Sequence, residues 1–250
     1  MVRSPADGYT LMIGNVSTNA ITPIIYPEKF KIDYANDVVP ITDTVDIPAF
    51  LLATSRDFDV DSVSGLIDYA KKNPGRVRYG TVGPGSYPHY DMAYFAKRAG
   101  DLDMIAVPNK AGASGVINDM LTGSTQVAFL NVASAAPQVK AGSFRALAVV
   151  NHARVADFPD LPTMEEVGFP GVGTIAWQAM FARSGIPNEI LQTIFDATIA
   201  ALHTPEVNSA FRKQTFNIVP NASLADAKAW LSQQIDTWRK ITSEVKIETE

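Results

Sequence analysis

Val77-Arg78-Tyr79-Gly80-Thr81-Val82-Gly83-Pro84-Gly85-Ser86-Tyr87-Pro88-His89 decides the fold class. Val77, Arg78 and Tyr79 predict a strand, while Met92, Phe95, Ala96 and Ala99 recur at helical spacing before Gly100 closes a helix. Strand, glycine-rich turn and amphipathic helix in that order form the repeating unit of an α/β chain. The exposed N–H groups of such a turn, together with the dipole of the helix start, suit an anion. The same glycines and prolines also serve as ordinary punctuation of an α/β connection.

Three familiar motifs do not fit. A dinucleotide fingerprint needs a glycine where Pro88 stands, and a P-loop needs a Lys-Ser/Thr pair that is absent. A nucleophile elbow also needs glycine at Pro88, so Ser86 reads as a hydrogen-bond donor and not as a nucleophile.

Outward from this turn, strand character recurs at residues 9–14, 49–53, 104–107, 127–130, 146–150 and 175–182. Residues 15–19 read as a polar loop ahead of breaks at Pro23 and Pro27. Asp61 or Ser62 can cap a helix carrying Val63, Leu66, Ile67 and Ala70, which Asn73-Pro74-Gly75 ends. Ser114 can cap another, with Val116, Ile117, Met120 and Leu121 on one face and Gly123 as its stop. Ile190, Leu191, Ile194, Phe195, Thr198 and Leu202 predict a third helix, and Pro205 opens a fourth. Ser223 with Asp226 starts a long last helix, whose stripe of Ala227, Trp230, Leu231, Trp238, Ile241 and Val245 reads as core. The alternation predicts an α/β fold with a mostly parallel sheet and right-handed crossovers.

Composition narrows the function. The 250 residues are 46% hydrophobic, enough for one large core or two lobes. A net charge of −5 and no basic cluster argue against nucleic acid. With no cysteine there is no disulfide, thiol catalysis or cysteine metal site. His89, His152 and His203 lie far apart in no ligand pattern, and no cofactor motif stands out, so neither metal nor cofactor is expected. Asp43, Asp46, Asp57, Asp59 and Asp61 read as solvated turn residues and not as a calcium loop. No apolar run approaches a membrane span, and Met1-Val2-Arg3-Ser4-Pro5 lacks the core of a signal peptide, so the chain reads as soluble and without an export signal.

An ordered series of segments resembles one family. It comprises Asp7-Gly8-Tyr9-Thr10-Leu11, Ala70-Lys71-Lys72-Asn73-Pro74-Gly75, Gly83-Pro84-Gly85-Ser86 to His89, and Val107-Pro108-Asn109-Lys110. Ala141-Gly142-Ser143-Phe144-Arg145-Ala146-Leu147-Ala148-Val149, Leu161-Pro162-Thr163 and Gly185-Ile186-Pro187 complete it. The series is similar to the extracytoplasmic solute-binding proteins of tripartite tricarboxylate transporters, the Bug family of bacterial receptors.

The resemblance implies a periplasmic-binding-protein-like (type II) α/β fold of two lobes joined by two crossing strands near residues 49–54 and 177–182. One lobe would hold 1–50 plus 180–250, incomplete at its N-terminus, and the other 54–176. It further implies a periplasmic receptor, not an enzyme, that clamps a small carboxylate between its lobes and serves membrane transporter subunits. By carry-over, Ser17, Thr18, Asn19, Gly83, Gly85, Ser86 and Asn131 would contact ligand, and His89 would orient the turn. Family members place a first strand, ligand loop and helix ahead of the point where this sequence begins. An exposed sheet edge and self-association through it are therefore expected. Two alternatives stand beside this reading: a hydrolase or isomerase of a small carboxylic acid using Ser86 and His89, and a folded relative without ligand.

Overall fold

The computed structural model describes all residues except 30, 31, 35, 55 and 248–250. In chain order it contains β1 (Met12–Asn15), a π-helix (Ser17–Ile21), α1 (Thr22–Ile25), β2 (Val38–Ile47), β3 (Ala49–Thr54) and α2 (Val63–Lys72). There follow β4 (Val77–Thr81), α3 (Tyr87–Arg98), β5 (Met104–Pro108), α4 (Gly112–Thr122), β6 (Val127–Asn131), α5 (Val132–Lys140) and β7 (Phe144–Val150). The last elements are β8 (Ala176–Arg183), α6 (Asn188–Leu202), α7 (Pro205–Lys213), β9 (Asn217–Ile218) and α8 (Leu224–Glu244). Two compact units result, one of Met1–Ile47 with Ala176–Thr242 and one of Pro48–Ile175 with Ser243–Glu250.

The first unit holds a sheet in the order β1-β8-β2-β9, antiparallel at every pairing. The expectation of a mostly parallel sheet is corrected here. The late strand β8 inserts between β1 and β2 in the opposite sense, a placement that local sequence does not encode. Ile41, Ala182, Ile186, Leu191 and Phe195 form a buried cluster against α6. Trp177 and Trp238 are fully buried, and Trp177 Nε1 donates to Gln234 Oε1 at 3.0 Å, so these tryptophans are core, with the Trp177 indole N–H satisfied.

Two further expectations are corrected in this unit. Residues 15–19 are largely helical and not loop: Thr22 Oγ1 donates to Ser17 O at 2.6 Å, and Pro23 occupies the first turn of α1, where its missing N–H costs nothing. Asp43 and Asp46 lie in β2, not in turns, and Asp43 is buried. Aspartate is depleted in strands, which hides β2 from a reading of the sequence.

The second unit holds a sheet in the order β5-β4-β6-β3-β7. Its β5, β4 and β6 are parallel, and β3 runs antiparallel to β6 and β7. Every residue of β3 is buried, which makes it the centre of a core with Val116, Met120, Leu130, Phe144 and Val149. Burial of each large apolar side chain contributes roughly 1.5–3 kcal/mol. Both β3 and β8 pair within a single sheet, so the chain passes between units at Ile47/Pro48 and Ile175/Ala176.

Local signals hold where a single residue closes a helix. Ser62 Oγ accepts from Gly65 N at 3.1 Å to cap α2, and Gly123 ends α4 in the left-handed region at φ +78°. Helix α4 starts at Gly112, however, and Ser114 is not its cap; its hydroxyl donates back to Ala111 O at 3.0 Å. Helix α5 goes beyond the elements expected from sequence, and Pro137 lies inside it.

Candidate functional site

Parallel pairing of β5, β4 and β6 brings their carboxyl ends to one side of the second unit's sheet, with Thr81 opposite Pro108 and Gly80 opposite Ala128. Three connections leave from that side: Asn109 onward, the turn at 83–86, and Asn131 into α5. Loops at strand carboxyl ends are the usual ligand positions of α/β sheets. Gly80 permits this arrangement, because a Cβ there would come within 2.5 Å of Val116 Cγ1 on α4.

The turn is held through one carbonyl. Ser86 Oγ donates to Gly83 O at 2.7 Å, Ser86 N donates to it at 3.3 Å, and Thr81 Oγ1 lies 3.1 Å from both Gly83 O and Ser86 Oγ. The His89 ring is buried, which lowers its pKa against the opposing pull of the Gly83 backbone. With Gly83 at φ +131° and Gly85 at φ +72°, glycine is required at both places. A Cβ on Gly83 would meet nothing within 4 Å, so the outer face of the turn is open. Ser86 caps α3 at its N-terminus, where His89 N and Tyr90 N donate to Ser86 O at 3.1 and 3.2 Å and Pro88 has no N–H. Of the first-turn amides, that of Tyr87 has no backbone acceptor among the described residues.

The hydroxyl of Ser86 is thus engaged inside the turn. His89 Nδ1 has no hydrogen-bond partner among the described residues, and no Ser86–His89 side-chain bond is present. A nucleophile is activated through such a bond; here the Ser86 hydroxyl bonds Gly83 O instead. Asn131 ends β6, is half-buried and makes no side-chain cap bond to α5. Asn109 is committed to structure, because its Nδ2 donates to Asp119 Oδ2 at 2.8 Å and its Oδ1 accepts from Ala111 N at 3.0 Å.

Ser17, Thr18 and Asn19 lie in the first unit, after the end of β1. Ser17 is half-buried and Thr18 exposed, whereas Asn19 is only 1% exposed. Asn19 Oδ1 accepts from Asn15 N at 3.1 Å and Thr18 Oγ1 at 2.6 Å, while its Nδ2 has no hydrogen-bond partner among the described residues. A Cβ on Gly14 would overlap this carboxamide at 2.2 Å, which makes Gly14 the residue that admits Asn19.

Comparison with known proteins identifies the family and the fold. The family model of the tripartite tricarboxylate transporter family receptor matches residues 1–247. The chain is 31% identical over 206 residues to a UPF0065 protein of Bordetella pertussis, covering 82% of this chain and 62% of that protein. It is 28% identical to Protein BugT of the same species, over 97% of this chain and 73% of BugT. It therefore spans less than two thirds of the first of these relatives. Among solved structures, R. palustris Rpa4515 with adipate superposes with a TM-score of 0.84 at 30% identity, covering 98% of this chain and 81% of that one. A structure of a periplasmic transporter superposes at 0.86 with 28% identity, covering 99% and 81%.

Proposed function

The chain belongs to the tripartite tricarboxylate transporter receptor family, and from that premise we propose that it is a periplasmic solute-binding receptor that captures a small carboxylate for the membrane subunits of such a transporter. The observation that carries this reading is the turn at 83–86, whose carbonyl is claimed internally while its outer face stays open. Charge-assisted bonds from backbone N–H groups to a carboxylate are about twice as strong as neutral ones. Gly83, Gly85, Ser86 and Asn131 of one unit, and Ser17, Thr18 and Asn19 of the other, are the ligand contacts assigned. The two units are the receptor's lobes. Adipate on Rpa4515 supports the ligand class, and the absence of a Ser86–His89 bond favours capture over turnover.

A thermal-shift series with adipate, succinate, malate and citrate tests this reading. At about 100 times Kd, a bound carboxylate adds roughly 2.7 kcal/mol, which raises Tm by about 5–11 °C for a chain of this size. A cooperative melt that no carboxylate moves would reject it.

A second proposal concerns partners. The outer edge of β1 has no strand beside it among the described residues. Leu11 and Ile13, exposed by 38% and 57%, line an apolar groove there with Met180, Leu202 and Phe211. Free strand edges beside apolar surface recruit another strand, and we assign this one to a second copy of the chain. Sedimentation should show dimers that Ile13→Lys dissociates; a wild-type monomer at all concentrations would remove the idea.

A further inference from the structure

Asp91 sits on α3 one turn beyond the candidate turn and is buried, 3% exposed. Both of its oxygens are taken by one residue: Oδ2 accepts from Thr174 N at 3.0 Å and Oδ1 from Thr174 Oγ1 at 2.6 Å. Thr174 is the second-last residue of the second unit before the chain passes at Ile175/Ala176. One helical turn further on, Phe95 packs against Phe169 with ring centroids 5.1 Å apart. The same face of α3 therefore grips the segment 169–174 at two points. Gly173 lies between them at φ +87°, so close to β7 and β6 that a Cβ would stand 2.5 Å from Val150 Cγ2 and 3.3 Å from Phe129 Cε1.

We propose that Asp91 and Thr174 form a latch, closed in acid and eased by ionisation of Asp91, that fixes the root of the Ile175/Ala176 passage to the helix carrying the 83–86 turn. Its bearing on capture rests on the receptor reading above; the latch itself does not.

The direction follows from linkage. Burial pushes the Asp91 carboxyl up to about 7, and the two Thr174 bonds pull it only part of the way back. When the segment lifts, the carboxyl meets water and returns to its ordinary value of 3.8. The closed form therefore holds the extra proton between those values, and raising the pH favours opening across that window. Tyr87, one turn earlier on α3, is the titratable group that shares this field; its own pKa is pushed up by burial and then by the Asp91 charge. The facing segment contributes the Thr174 amide and hydroxyl, while Phe169 packs on Phe95, and Phe129 and Val150 lie against Gly173. Protonated, Asp91 can donate to Thr174 Oγ1 while accepting from Thr174 N. Asparagine reproduces that pattern at every pH.

Hydrogen exchange of the unliganded chain, corrected for intrinsic rates and followed between pH 5.5 and 8, tests this. In the wild type, protection of the amides at 173–177 should fall up to about tenfold per pH unit as far as pH 7 and then level off. Asp91→Asn should remove that dependence and exchange more slowly than wild type at pH 7.5, while Thr174→Val should lower protection at pH 5.5. Wild-type protection independent of pH, or faster exchange in Asp91→Asn at pH 7.5, would overturn the latch. If Asp91→Asn does not fold, the wild-type profile and Thr174→Val decide alone. Adipate titrations on the same samples separate the two claims, since the predicted exchange pattern without adipate binding leaves the latch standing and rejects the ligand class.

Discussion

Asp43 in β2 and Asp91 in α3 are equally buried, each 3% exposed, and the difference between them lies in what surrounds the carboxyl. Asp43 Oδ1 has no hydrogen-bond partner among the described residues. Burial, and then the charge of Asp46, push its pKa up to about 8 against the pull of the Thr44 and Val45 amides. Asp91 has a donor for each oxygen and rises only to about 7. Burial sets the direction in both cases. The donors decide whether the group merely costs stability inside a sheet, as Asp43 does, or connects two segments, as Asp91 does.

The largest expected effect tests the Asp43 side. Its folded pKa is raised, so its contribution is fully present below about 4 and is lost as pH rises through about 8. Urea melts should show wild-type stability falling relative to Asp43→Asn by up to roughly 4 kcal/mol between pH 5 and 8, at about 1.4 kcal/mol per pH unit. Parallel curves for the two proteins would mean that Asp43 is better solvated than its burial indicates. A smaller effect tests the Asp91 side, where the connection depends on Gly173 lying close to Val150. Gly173→Ala should cost about 2 kcal/mol at any pH, through a left-handed φ and an overpacked contact. A loss under about 0.5 kcal/mol would show that the segment at 169–174 yields easily, and the contrast between the two acids would shrink.

What the sequence displays is local. The run from Val77 to His89 carries strand, turn and helix start in order, and Ser62, Gly123 and Ser223 mark helix ends because caps act within a few residues. Pairing sense is not legible, since β8 reaches β1 and β2 from more than a hundred residues away. Helix α5 escapes notice because Pro137 reads as a breaker, and the π-helix because Ser17, Thr18 and Asn19 are turn formers in isolation. In the site, the glycines of the turn are readable, as their φ values admit little else. The engagement of Ser86 with Gly83 O and the burial of Asn19 and Asp91 are not, because each depends on partners that only the fold brings near.

The Gly83 carbonyl, bound at once by the Ser86 hydroxyl and amide and by Thr81 Oγ1, has a kinetic consequence under the receptor reading proposed above. A turn already fixed in this way has little left to order when a solute arrives, so association should run near the encounter rate. On that reading, differences among solutes would appear as residence times.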